Sequence, residues 1–282
     1  MKNNLFVFYD MEVSPCSYDF FTFLYTAEIC RIRRNLDNIE LFIVKSQETD
    51  FYRKSALRTR EMNDTFFNNV ILPGISLLRS CNSFSWCSRE QLAWTSETES
   101  KFLFPRGYTP EKPLNDKSYV EMCKLQYTGR ELIASKFRGD KAVGLSAPDY
   151  AVEQALNFQK FLDGKQFITL TLRETDRFDP NSVRRIRAEV WERVFKKLVA
   201  QDIVPVVIRD TNKTFTKLNF DGVIQLDHAS IHLPFRTAIY ERALLNFIKN
   251  NGPGAVLLFG TGPGVFFNVI DNDSEVISEK WF

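Results

Sequence analysis

Short apolar runs that each end in charge, separated by stretches with helical periodicity, restrict the fold of this chain more than any other feature. In the second half, Ile168-Thr-Leu-Thr-Leu172 gives way to Arg173, Glu174 and Asp176, and Ile203-Val-Pro-Val-Val-Ile208 gives way to Arg209 and Asp210. Between these runs Val183, Ile186, Val190, Trp191, Val194, Phe195 and Leu198 recur at helical spacing, with arginines, lysines and glutamates on the other face. That pattern predicts an amphipathic helix, entered through the turn Asp179-Pro-Asn-Ser182, whose last residue is suited to an N-cap. Val223–Leu226 predicts a third strand. Arg236 to Asn250 predicts a second helix, with Ile239, Ala243, Leu244, Phe247 and Ile248 on one face and Gly252 stopping it in the left-handed conformation. Ala255–Phe259 predicts a fourth strand. Strand, helix, strand, strand, helix, strand implies a parallel sheet covered by helices.

The first half opens in the same way. Leu5-Phe-Val-Phe-Tyr9 predicts a strand ending at Asp10, followed by a loop through Glu12, Ser14 and Pro15 and a helix from about Tyr18 to Arg34. Ile39–Val44 predicts the next strand. From Glu48 to Arg138 the pattern weakens to a polar loop at Lys54–Asp64, a strand near Val70–Leu72 and helical pieces near Ser88–Trp94 and Ser118–Leu125. Gly139–Ala147 reads as a connection, and Pro148-Asp149 starts a helix to about Leu162, with Gly164 at its end. The expected fold is therefore α/β: two Rossmann-like halves, residues 1–145 and 146–282, each a parallel sheet flanked by helices.

Several chemistries are disfavoured. A net charge of +2 gives no global drive toward nucleic acid. The basic run Arg184-Arg185-Ile-Arg187 reads as the wet face of its helix, with a polyanion or a membrane surface as the alternative. No run approaches the ~20 apolar residues of a membrane span, and Met-Lys-Asn-Asn leads into a short strand rather than a signal peptide. Five scattered cysteines fit a reduced, cytoplasmic protein. Cys81 and Cys87 lack a second metal-ligand pair, so no metal is expected. His228 and His232 lack the glutamate of a zinc-protease helix and read as polar loop residues, with contact of one of them to a bound nucleotide as the alternative. There is no nucleophile elbow, no Walker loop and no dinucleotide fingerprint. The glycine clusters Asn250–Gly254 and Gly260–Gly264 are explained equally by turn chemistry and by backbone N–H groups offered to phosphate. The 26 phenylalanines predict an aromatic core, with a glycan cleft as the second use.

Ligands of open α/β sheets bind outside the carboxyl ends of the strands. Arg173, Glu174, Asp176, Arg209 and Asp210 stand at such ends, and an arginine fork suits phosphate. Three stretches carry a family resemblance: Phe8-Tyr-Asp-Met-Glu-Val-Ser-Pro-Cys-Ser-Tyr-Asp-Phe-Phe21; Ile168–Asp176 with Pro180-Asn-Ser182, Trp191 and Pro205–Thr211; and Arg236-Thr-Ala-Ile-Tyr-Glu241 leading to Asn250-Asn-Gly-Pro253. Together they resemble glycosyltransferase-like proteins of bacterial surface-polysaccharide synthesis with the two-domain GT-B arrangement. The strand ending in Arg173 is similar, more distantly, to the arginine-bearing strand of fucosyltransferases.

The resemblance implies an acceptor-side domain at 1–145 and a nucleotide-sugar-binding domain at 146–282. It implies transfer of a hexosyl or deoxyhexosyl group from a nucleotide-sugar, with a lean toward a GDP-linked donor, to a glycan or lipid-linked acceptor. The protein would act peripherally at a membrane without a required cofactor, its oligomeric state open. Arg173 would stabilise the leaving diphosphate, with Asn181 and Ser182 at a helix N-terminus as phosphate partners. Glu174, Asp176, Arg209, Asp210, Tyr240, Glu241 and Gly252 would complete the donor site. Asp10, then Glu12, then Asp19 would be candidates for general base. GT-B enzymes usually carry further helices beyond the point where this chain stops, at Phe282. That keeps open a non-catalytic nucleotide- or glycan-binding role, beside that of another Rossmann-like nucleotide-dependent enzyme.

Overall fold

The structure is a computed structural model that describes residues 3–46, 52, 59–110, 130–140, 143–174, 188–209, 213–249 and 251–267. Two compact units divide the chain, Met1–Leu145 and Ser146–Phe282. Elements are numbered in chain order.

In the first unit β1 (Leu5–Asp10) enters α1 (Asp19–Arg33) and returns as β2 (Ile39–Val44). Asp19 in the first turn and Arg31 and Arg33 in the last complement the helix dipole. β1 and β2 pair in parallel from Leu5↔Ile39 to Asp10↔Val44. α2 (Arg60–Phe66) runs through a π-turn at Phe67–Ile71 into α3 (Leu72–Ile75). The strand expected at Val70–Leu72 is thus helical, because a short buried apolar run satisfies either period. The helix widens just before Pro73, which has no N–H for the regular ladder. Part of the expected Lys54–Asp64 loop is also α2. β3 (Cys81–Cys87) is an edge strand, followed by a 3₁₀ stretch at Glu90–Glu97, the short β4 (Leu103–Phe104) and α4 (Arg130–Arg138). The expected helix at Ser118–Leu125 lies outside the described residues. The sheet order is β3-β2-β1-β4, all parallel.

In the second unit α5 (Asp149–Phe161) leads to β5 (Phe167–Thr171), α6 (Glu192–Val199), β6 (Val204–Ile208) and β7 (Ile224–Gln225). Then come α7 (Asp227–Ile231), α8 (Leu233–Arg242), β8 (Leu245–Lys249), α9 (Gly254–Phe259) and β9 (Gly264–Phe267). The order is β7-β6-β5-β8-β9, again all parallel. Two expectations are corrected. The helix at Arg236–Asn250 ends at Arg242, and its second half is β8. The strand at Ala255–Phe259 is α9. Gly252 therefore follows a strand and caps no helix.

The inner strands β1, β5 and β6 are buried on both faces, as in most parallel sheets, whereas the edge strand β3 is largely exposed. The aromatic content is chiefly core: Phe8, Tyr9, Phe20, Phe21, Phe23, Phe104, Phe167 and Phe195 are among the largest fully buried side chains. Among the described residues no helix is long and apolar enough to cross a membrane.

Candidate functional site

Each sheet has one place where the strand order reverses. In the second unit β6 and β7 lie on one side of β5, whereas β8 and β9 lie on the other. Connections leaving β5 and β8 therefore diverge, and the carboxyl edge between them is the place where such sheets hold ligands. Arg173 and Glu174 follow β5 there, both half-buried. Arg209 follows β6 and is buried. Its Nε and Nη2 donate to the two carboxylate oxygens of Glu174 at 2.6 and 2.5 Å, and its Nη1 donates to the Thr216 carbonyl. Arg209 and Glu174, expected as ligand contacts, are thus brought together as a bidentate brace.

Lys249, the last residue of β8, completes this edge. It is 5% exposed. Burial, reinforced by the positive charge of Arg173, holds its ammonium below the usual lysine value. Sequence reasoning missed it because the segment fits a helical face. The strand signal was the alternation in Leu245-Asn-Phe-Ile-Lys249. Gly252 lies three residues further on, in the turn before α9, where Gly254 N donates to Asn251 O and Oδ1, both at 3.0 Å. Asp176, Asn181, Ser182 and Asp210 lie outside the described residues.

Tyr240 and Glu241 do not open the second helix but close it. Tyr240 is buried and shares a 2.7 Å hydrogen bond with the Thr171 hydroxyl. Glu241 Oε1 accepts from Ala147 N at 2.9 Å. The Tyr240 hydroxyl thus reaches Thr171, the last residue of β5, on the same carboxyl side as Arg173, Arg209 and Lys249. The Gly260–Gly264 cluster leads into the amino end of β9. A Cβ on Gly262 would lie 2.6 Å from the Tyr240 carbonyl oxygen, so close backbone approach accounts for that glycine. His232 caps α8, its Nδ1 accepting from Phe235 N at 3.1 Å, and His228 stacks on Phe235. Burial, then the neighbouring His228, lowers the His232 pKa. Among the described residues no group of three or more His, Cys, Asp or Glu could hold a metal.

In the first unit the order reverses between β1 and β4, and Asp10 ends β1. Its Oδ1 accepts from Arg89 Nη2 at 2.7 Å and Glu12 N at 3.0 Å, and its Oδ2 accepts from the Tyr108 hydroxyl at 3.1 Å. Asp10 is 1% exposed. Burial raises its pKa, against the opposing pull of Arg89, the Glu12 amide and Tyr108. Glu12, in the turn beyond, is half-buried and accepts from the Ser46 hydroxyl. Asp19 accepts from the Ser17 hydroxyl at 2.6 Å in the first turn of α1, a local helix-start contact. Arg89 and Tyr108 escaped sequence reasoning because they stand 79 and 98 residues from Asp10 in weakly patterned stretches.

No protein-family model matches the chain, and no curated protein sequence matches it. Solved structures do. The glycosyl transferase family 9 structure from Veillonella parvula DSM 2008 aligns with a TM-score of 0.54 at 11% identity, covering 99% of this chain and 95% of that one. The E. coli ADP-heptose LPS heptosyltransferase II structure aligns with a TM-score of 0.54 at 11% identity, covering 98% of this chain and 88% of that one. At such identity the likeness is one of fold. The chain has an α/β fold of two parallel sheets flanked by helices, GT-B-like in class, and shares it with these glycosyltransferase structures.

Proposed function

We propose that this chain is a glycosyltransferase. It moves a hexosyl or deoxyhexosyl group from a nucleotide-sugar donor, GDP-linked for preference, to a glycan or lipid-linked acceptor in surface-polysaccharide synthesis. The observation that carries this reading is the cationic carboxyl edge at the switch point of the second sheet, in a fold shared with glycosyltransferase structures. Transfer leaves negative charge on a diphosphate, and fixed cations in a water-poor crevice stabilise that charge strongly. Arg173 takes this role. Asp176, Asn181, Ser182 and Asp210, which follow β5 and β6 in the sequence, and Gly252 after β8 complete the donor site. In this reading residues 146–282 bind the donor and residues 1–145 the acceptor.

Of the three candidate bases, Asp10, Glu12 and Asp19, we take Glu12 as the base. Both oxygens of Asp10 already accept hydrogen bonds and neither faces water, so Asp10 serves as the buried anchor of the loop that carries Glu12. A base must reach the acceptor hydroxyl directly or through one water, and Glu12 retains that access. The same engagement of Asp10 supports a second reading, in which the chain binds its nucleotide ligand without transferring sugar.

The test is release of nucleoside phosphate from a panel of UDP-, GDP-, ADP- and CMP-linked sugars incubated with mixed glycan and lipid-linked acceptors. Turnover of one donor, falling about 100-fold or more in Glu12→Gln while nucleotide affinity is kept, is the outcome expected of a lost general base. Tight nucleotide binding with no turnover would replace the transferase by the binding role.

A further inference from the structure

The first sheet ends in a strand with little of the usual protection of a sheet edge. β3 (Cys81–Cys87) has seven residues, more than any other described strand, and it is outermost in the order β3-β2-β1-β4. The other three edges are short: β4 and β7 have two residues each and β9 has four. An outermost strand offers its outer N–H and C=O groups to any chain able to pair with them, and folded proteins blunt long edges with lysine, proline or bulges. Cys81-Asn-Ser-Phe-Ser-Trp-Cys87 holds no charge and no proline. Its irregularity lies at the start, where the register with β2 shifts between Ile39 and Glu40 and passes over Asn82. From Ser83 to Cys87 the pairing is regular. Phe84 and Trp86, 44% and 51% exposed, lie on one face, and Ser83 and Ser85 are exposed on the other.

The order of residues says what fits this edge. The strand reads nearly the same from either end, with cysteine at both termini and serine on each side of a central phenylalanine. Two copies laid antiparallel with Phe84 opposite the partner's Phe84 therefore set Ser83 against the partner's Ser85. Directly opposed residues share a face, and aromatic and hydroxyl pairs across an antiparallel ladder are favourable, whereas like charges are not. A strand without charge meets itself without repulsion, and antiparallel self-pairing is what a two-fold axis produces. We infer that β3 is a self-association edge: two copies of this chain pair through it about a two-fold axis at Phe84, joining their four-stranded sheets into one. Interfaces limited to one strand pair fall at the low end of size, below about 1,200 Å², where association is reversible. The dimer therefore comes and goes with concentration. The inference rests on neither the nucleotide nor the transferase reading.

The experiment is sedimentation velocity of the full chain from about 1 μM to about 200 μM, on wild type, Phe84→Lys and Phe84→Cys. The expected result is a wild type that passes from monomer to dimer as concentration rises. Phe84→Lys, which sets two ammonium groups face to face at the axis, stays monomeric throughout. Phe84→Cys treated with oxidised glutathione cross-links through position 84, mapped by mass spectrometry, because this register brings position 84 to its own copy. Burial pushes the Cys81 thiol up to about 12 and the Cys87 thiol up to about 11, so the strand's own cysteines stay protonated and wild type forms no such bond. A wild type that remains monomeric at the highest concentration overturns the inference. So does a dimer that persists in a folded Phe84→Lys, or one in which Phe84→Cys gives no bond from 84 to 84. Circular dichroism checks each fold, and if Phe84→Lys does not fold, the smaller change Phe84→Cys decides alone.

Discussion

At the scale of single residues, Asp10 is the clearest case of a charge that holds the fold. Its carboxylate neutralises Arg89, which is 5% exposed. Removing one partner of a buried pair strands the other, at a cost of about 3–5 kcal/mol. Asp10→Ala should therefore lose stability of that order in urea denaturation, with a lowered midpoint and an unchanged slope. A loss below about 1 kcal/mol would mean that Arg89 finds water or another partner on its own. His232 gives a pH-dependent counterpart. Its pKa is lowered in the fold from the ordinary 6.5, so the stability it contributes is complete above 6.5 and is lost as pH falls through the lower folded value. Protonation also removes the Nδ1 acceptor that caps α8. His232→Asn, which caps without titrating, should flatten the acid limb of the stability curve by about 1 kcal/mol. Urea midpoints at neutral and mildly acidic pH check this.

At the scale of elements, strands and helices with one clear period were legible in the sequence, and those decided by pairing were not. β1, α1, β2, α5, β5 and β6 were anticipated to within a residue or two, because Leu5–Tyr9, Ile39–Val44 and Ile203–Ile208 are short apolar runs and Asp149–Phe161 has a helical face. The segment after Arg236 was not. Ile239, Ala243, Leu244, Phe247 and Ile248 fit one helical face, yet the chain leaves the helix at Arg242 because Leu244 N donates to Phe167 O and opens the ladder with β5. Asn246, a poor strand former, is held at the centre of that sheet by Thr169, the Tyr240 carbonyl and the Pro263 carbonyl. Such partners are 77 and 17 residues away and leave no local trace. Misreading β8 as helix is also what concealed Lys249, since a lysine inside a helix reads as solvated surface. The same packing makes a prediction at Gly262, where an added Cβ would meet backbone rather than a movable side chain. Gly262→Ala should cost about 1–3 kcal/mol, read as a lower thermal midpoint. An unchanged midpoint would show that the turn before β9 can shift away from Tyr240.

At the scale of the whole molecule, the two units share one design. Each builds a parallel sheet around a central strand, reverses its strand order beside that strand, and places charge where the reversal occurs. In the first unit that charge is the buried Asp10–Arg89 pair, with Glu12 beyond it. In the second it is Arg173 and Lys249, beside the Arg209–Glu174 ion pair. That the sheets are parallel and that ligand chemistry belongs at their carboxyl ends was legible from the order of elements and from Arg173, Glu174 and Arg209. Which of those charges are committed to each other was not, because an ion pair between β5 and β6 is fixed by the twist of the sheet and not by spacing in the chain.

The central claim is that the second unit holds a nucleotide at this edge. Its most direct test is a thermal-shift panel of GDP, UDP, CMP, ADP and NAD(P) on wild type and Arg173→Ala. A ligand that binds the folded state raises its stability by RT ln(1 + [L]/Kd), so even millimolar affinity registers at high concentration. The account predicts a rise in melting temperature with one nucleoside phosphate, absent in Arg173→Ala. A well-folded wild type that responds to none of them would contradict it.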